Sequence, residues 1–338
     1  MTSFHRDEQR HWSAALPAAW PTRTWHGLFL MRVALGLFLV KNGGWLFGGK
    51  LQGVVSRPEA LFHAPLVEAL QLPFPPPATN LWGPLIELLG WMIALGIGWR
   101  VAAIVASVAI VYVASCLSGF GYFNHGTIMI PQMLWVLTVS PGADACSLDR
   151  LARGLWHRRR GGIDSAALVG DWAGPATPPW GIHLAGGLLV LIYLGAGISK
   201  LRYAPVEWLT GVTLRAYLTD MEQQYWLGPS SHLLSLVSDP PIWAFSYVSP
   251  PTDLGQWIAA YPTLCALISI ATVGVELFVP LGLVLTPRLR ALSCILLLCF
   301  HFSISQIMAI PFRSWMVVIA ALFPWTDLFR GARASPRE

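Results

Sequence analysis

Charge is the scarcest commodity in this chain. Only 12% of its 338 residues are Asp, Glu, Lys or Arg, about half the share of an ordinary soluble domain. Cysteine is also sparse. The five present, Cys116, Cys146, Cys265, Cys294 and Cys299, form no CxxC pair and no metal-ligand spacing with histidine, which argues against a disulfide framework and against a metal site. Four of them lie in or beside apolar stretches, where cysteine packs as a small hydrophobe. No internal repeat, heptad array or low-complexity tract is visible. The opening segment MTSFHRDEQRHWSAALPAAWPTRTW is polar and carries no signal-peptide core. The net charge of +5 is no nucleic-acid footprint, because the arginines gather in short segments between hydrophobic runs, as topology determinants do.

What the chain has instead is apolar length. Hydrophobic residues make up 55% of it, seventeen are tryptophan, and the mean hydropathy is +0.56. Several stretches of roughly 17–22 residues lack charge or nearly so, the signature of multiple transmembrane helices. The expected fold is all-α and polytopic, a bundle of about eight transmembrane helices with extended outer-face loops. The expected spans are 25–47, 81–98, 101–118, 126–140, 182–200, 263–285, 291–308 and 312–324. Residues 1–24 read as a cytoplasmic N-terminal segment, 25–330 as the transmembrane domain and 331–338 as a cytoplasmic tail.

Arginines give an orientation. Arg150, Arg153, Arg158, Arg159 and Arg160 lie between the fourth and fifth spans, Arg100 between the second and third, and Arg288 and Arg290 between the sixth and seventh. Arg330, Arg333 and Arg337 follow the eighth. With eight spans all share the side of the N-terminus and should face the cytoplasm, against Lys50 and Arg57 on the other side. The run LWHRRRGG reads as such a topology signal rather than an RNA-binding patch. The opposite face receives the connections 48–80, 119–125, 201–262 and 309–311. The longest, 201–262, should hold short interfacial helices that cap the bundle.

Ionisable groups within apolar spans are expensive, so each calls for a function or a partner. Those near the spans are Arg32, Lys41, Glu87, His125, Lys200, Glu276 and His301. Lys200 closes the run IHLAGGLLVLIYLGAGISK at the outer end of the fifth span and His125 opens the fourth at the same face. They are candidate acid/base groups, with Asn124 placed to orient a substrate oxygen or a water. Lys200 reads equally as a snorkelling anchor, His125 as a helix-start residue at the headgroups, and His301 as a core histidine bonded to a carbonyl. Glu276 and Arg32 read as a buried structural ion pair before they read as catalytic.

Four stretches, FNHGTIMIPQMLWVLTVSPGADACSLDR, YLGAGISKLRYAPVEWLTG, ELFVPLGLVLTPRLR and FHFSISQIMAIPFRSWMV, together with the arginine-bearing LFLMRVALGLFLV, resemble the HTTM domain. This is the membrane domain shared by vitamin K-dependent γ-carboxylase and its bacterial relatives. The resemblance covers about 25–330. It implies that Lys200, ending the pattern Y-x-x-A-G-x-x-K-L, is the base that deprotonates a reduced quinone (vitamin K hydroquinone or menaquinol). It places the family's Asn-His pair on Asn124 and His125. The family's F-H-x-x-x-S-Q pattern falls on Phe300, His301, Ser305 and Gln306. His301, Ser305 and Gln306, with Glu276, Tyr203 and Trp208, are the candidate quinone contacts, and Trp208, Tyr203 and Trp226 could wall the pocket around the lysine. An amine desolvated in an apolar pocket is an available proton acceptor.

The implied reaction couples oxygenation of the quinol to proton abstraction and carboxylation of a peptide glutamate or a small molecule, with O2 and CO2 as co-substrates. The expected setting is a bacterial inner membrane, with lipid, quinone and a peptide substrate as partners. The chain stops soon after the eighth span, where the animal enzyme continues into a luminal domain. Arg202, Ser199 and Ile304 depart from the family pattern. Two alternatives remain: a non-enzymatic accessory subunit that binds a partner peptide through 201–262, and a small-molecule transporter.

Overall fold

The computed structural model describes residues 25–44, 65–73, 76, 78–119, 125–161, 180–219, 252–310 and 312–325. Among these residues the regular structure is helical, with no strand. The α-helices are α1 Trp25–Gly43, α2 Pro65–Ala69, α3 Trp82–Leu95, α4 Trp99–Gly119, α5 His125–Val139, α6 Leu148–Gly161, α7 Trp180–Tyr203, α8 Pro205–Leu209, α9 Val212–Thr219, α10 Asp253–Ala259, α11 Pro262–Phe278, α12 Pro287–Met308 and α13 Arg313–Leu322. Among the described residues four segments are long and apolar enough to cross a bilayer: Trp99–Leu117, Trp180–Tyr203, Pro262–Val284 and Pro287–Met308. Three shorter apolar helices, Trp82–Leu95, Met129–Val139 and Arg313–Leu322, accompany them.

Small residues set the closest contacts. Gly36 of α1 lies against the backbone of Gly90 and Ala94 of α3, so close that a Cβ there would collide with both. Apolar helices without a hydrophobic drive to associate gain dispersion contact in this way. The core between them is built from Leu28, Met31, Leu35, Ile86, Ile93, Met133, Leu189 and Leu297, among others.

Several helix ends differ from those read in the sequence, each for a local reason. Helix α3 stops at Leu95 because Gly96 turns left-handed (φ 75°) and its N–H returns to Met92 O. The stretch after Phe278 tightens into a 3₁₀ segment, Val279–Val284, where Pro280 offers no N–H. Helix α12 begins earlier than 291: Thr286 caps it by accepting the Leu289 N–H at 3.4 Å and Pro287 fills its first turn. Arg288 and Arg290 therefore lie within a helix rather than in a loop.

The described parts of 201–262 do contain short helices, α8, α9 and α10. Leu214 and Leu218 of α9 form a second core with Ile258 and Ala259 of α10 and Cys265 of α11. Three glycines show how this segment runs. Gly186 faces Leu283 and Val284, Gly197 faces Leu277 and Glu276, and Gly211 faces Cys265 and Ala266. The chain from α7 through α9 thus follows α11 antiparallel along its length, broken at Ala204 (φ −149°, ψ 55°) and at left-handed Gly211 (φ 75°).

Candidate functional site

Lys200 lies in the last turn of α7, and Glu276 lies fourteen residues into α11. The absence of a Cβ at Gly197, one turn before the lysine, lets α7 approach Leu277 and Glu276 closely. The result is a two-pronged ion pair: Lys200 Nζ donates to both Oε1 and Oε2 of Glu276 at 2.7 Å. The two side chains are only 16% and 9% exposed. Beyond the break at Ala204, α8 brings Trp208 back over the pair, with Nζ 4.9 Å from its ring centroid. An ammonium at that distance interacts favourably with the indole face.

The depth of this pair differs from what an end-of-span lysine suggests. At 1.5 Å per residue, Glu276 is about 21 Å from the Pro262 end of α11. Lys200 ends its own helix, but the chain continues past it along α11. It is a partnered group inside the bundle rather than an anchor at its rim.

Arg32 is fully buried, and it does not pair with Glu276 as read from the sequence. Its guanidinium donates to backbone carbonyls: Nε to Ala143 O at 2.9 Å, Nη1 to Ile93 O at 2.7 Å and Ala94 O at 3.0 Å, and Nη2 to Ala145 O at 3.2 Å. The last carbonyls of a helix have no partner of their own, and five fixed N–H donors suit a cluster of them. Arg32 thus ties α1 to the end of α3 and to the 3₁₀ turn Pro141–Asp144. Glu276 is taken by Lys200.

His301 is buried in α12, and its Nε2 is hydrogen-bonded to the Tyr193 hydroxyl of α7. Its ring lies 5.0 Å from Phe312 and 5.6 Å from Trp315, and Tyr193 meets Trp315 edge-on at 5.3 Å. The partner is thus a side chain rather than a carbonyl. His301 Nδ1 and Trp315 Nε1 are both buried with no hydrogen-bond partner among the described residues. Tyr193 precedes Lys200 by seven residues, so the two share a face of α7 about 10 Å apart along its axis.

The other expected site residues lie elsewhere. Tyr203 is 64% exposed with Arg202 over its ring, so it does not wall in the lysine. Gln306 is exposed and Ser305 half-buried; the Gln306 carbonyl accepts from Thr252 Oγ1 at 2.6 Å. His125 opens α5, while Asn124 and Trp226 lie outside the described residues. Two members of the site, Tyr193 and Trp315, were not singled out from the sequence. The available signal was the i, i+7 spacing of a hydroxyl and an amine in one membrane-length run. Among the described residues no cluster of His, Cys, Asp and Glu is arranged to hold a metal ion. No family model, curated protein or solved structure matches the chain.

Proposed function

We propose that this chain is an integral membrane enzyme of the γ-carboxylase HTTM type, with Lys200 as the base that takes a proton from a reduced quinone. The observation that carries the reading is the Lys200–Glu276 pair, enclosed between apolar helices and covered by Trp208. An exposed ion pair keeps its proton on the amine because water stabilises both charges. Enclosure removes much of that stabilisation. Passage of one proton from Nζ to the Glu276 carboxylate leaves a neutral amine and a neutral acid. The amine can then accept a substrate proton, and Glu276 holds the displaced one.

The quinol would supply an ionisable hydroxyl and the reducing electrons for O2. The unpartnered Nδ1 of His301 and Nε1 of Trp315 are polar atoms suited to hydrogen-bond a ring oxygen, and Tyr193 fixes the histidine ring. Carboxylation by CO2 of a peptide glutamate or a small molecule is the reaction the resemblance implies for this base.

The membrane setting proposed is eight spans, α1, α3, α4, α5, α7, α11 with its 3₁₀ extension, α12 and α13. Their order matches the eight apolar stretches of the sequence. The end bearing Arg100, Arg150, Arg153 and Arg288 faces the cytoplasm of a bacterial inner membrane. The test is incubation of purified protein with vitamin K hydroquinone or menaquinol, O2 and labelled CO2. Folded Lys200→Ala and Glu276→Gln proteins should lose quinone oxidation. Full activity in Lys200→Ala would overturn the reading. A second reading, an accessory subunit that binds a partner peptide, draws on the apolar residues exposed on α8 and α10, Val206, Leu254 and Trp257. It predicts that changes there abolish partner capture while Lys200→Ala does not.

A further inference from the structure

Helix α6, LDRLARGLWHRRRG, is not one of the apolar helices, yet it exposes apolar side chains. Leu148, Ala152 and Leu155 recur at i, i+4 and i+7, with Trp156 beside them. Leu148 is 41% exposed, Leu155 43% and Trp156 55%. At 100° per residue, Arg150, Arg153 and His157 fall on the opposite side, and exposed Arg159 continues the line of the apolar stripe toward the helix end.

The start of the helix is fixed to the end of the bundle. The Asp149 carboxylate accepts the Gly98 N–H at 2.7 Å and the Asp149 N–H donates to Gly96 O at 3.0 Å. Arg150 and Arg153 reach Asp144 at 3.6 Å. These contacts root α6 at the hairpin between α3 and α4, where α5 also ends. The first turn of α6 therefore lies at the end of the apolar helices, where a bilayer surface would be.

We infer that α6 is an in-plane anchor that lays Leu148, Leu155 and Trp156 into the bilayer surface and holds anionic phospholipid headgroups with its arginines. This rests on the membrane-spanning reading and is independent of the quinol chemistry. A helix with Arg150 and Arg153 opposite its Leu and Trp, and Arg159 one turn beyond Leu155 where a long side chain can snorkel to the headgroups, has the composition of an interfacial segment. The sign of its charge selects acidic headgroups over zwitterionic ones. A nucleic acid would engage the arginines but would leave the apolar stripe in water. The bilayer surface accounts for both faces.

The test is hydrogen exchange by mass spectrometry on the full chain in nanodiscs of phosphatidylcholine alone or mixed with phosphatidylglycerol. Amides of 148–161 should exchange roughly tenfold more slowly in the acidic discs, given the attraction of each arginine to an acidic surface. High salt should erase the difference. The double variant Arg153→Gln/Arg159→Gln should also erase it, with exchange elsewhere in the chain unchanged. Equal exchange in the two lipid mixtures would overturn the inference. So would protection that survives both salt and the double variant, or protection that depends on protein concentration or added RNA instead of acidic lipid.

Discussion

At the residue scale, two cations on the same chain, Arg32 fully buried and Lys200 partly so, are satisfied in different ways. Arg32 spends its donors on backbone carbonyls that belong to the fold itself. Removing it leaves several buried acceptors unpaired at about 1–3 kcal/mol each. Arg32→Met should therefore lower stability by about 3 kcal/mol or more, as measured by thermal unfolding in detergent. Arg32→Lys should recover only part of this, because an ammonium cannot fork between four carbonyls. Lys200 instead meets one ionisable partner. Lys200→Met alone strands the Glu276 carboxylate and should cost about 3–5 kcal/mol. The double variant Lys200→Met/Glu276→Leu removes both charges and should return much of the lost stability. It should not return quinone oxidation. Stability and activity recovering together would make the pair a structural device.

At the element scale, the glycines of the α7–α9 segment differ sharply in what surrounds them. A Cβ at Gly195 would meet nothing within 4 Å, whereas at Gly211 it would collide with the backbone of Cys265 and Ala266, and the residue has φ 75°. Gly195→Ala should be neutral or stabilise by up to about 1 kcal/mol, since alanine suits a helix interior. Gly211→Ala should cost about 2 kcal/mol or more from left-handed strain and overlap together, and should lift α9 off α11. Unfolding midpoints of the two variants check both. These elements also show what the sequence discloses. Apolar length marks the α4, α7, α11 and α12 runs because hydrocarbon-compatible stretches leave a one-dimensional trace. The early start of α12 at Pro287 was missed because Arg288 and Arg290 read as loop charges. The Lys200–Glu276 pairing leaves no such trace: the residues are seventy-six positions apart, and only the packing of α7 on α11 through Gly197 brings them together. Lys200 itself was legible as an isolated charge in an apolar run. Its depth was not, because the sequence shows α7 ending and does not show α8 and α9 continuing beside α11.

At the scale of the whole molecule, the placement of α6 and α10 makes the topology testable. Helix α6 begins at the hairpin Gly96–Gly98. Helix α10 sits at the far end of α12, where Thr252 Oγ1 donates to the carbonyls of Gln306 and Ile307. Between α6 and α10 the apolar helix α7 runs its 24 residues, about 36 Å at helical rise and enough to cross the hydrocarbon once. The exposed residues Arg159 and Asp253 should therefore lie on opposite sides of the membrane. The arginine-bearing side should be cytoplasmic, because cationic loops resist translocation. Cysteine introduced at each position, in a background with the five native cysteines replaced, can be labelled with a membrane-impermeant maleimide. Asp253→Cys should react in intact spheroplasts and Arg159→Cys only after permeabilisation. Labelling of both from the same side would mean that α7 does not cross, and the largely enclosed Lys200–Glu276 pair would then need a different setting. The opposite pattern would keep the crossing and reverse the side proposed to be cytoplasmic.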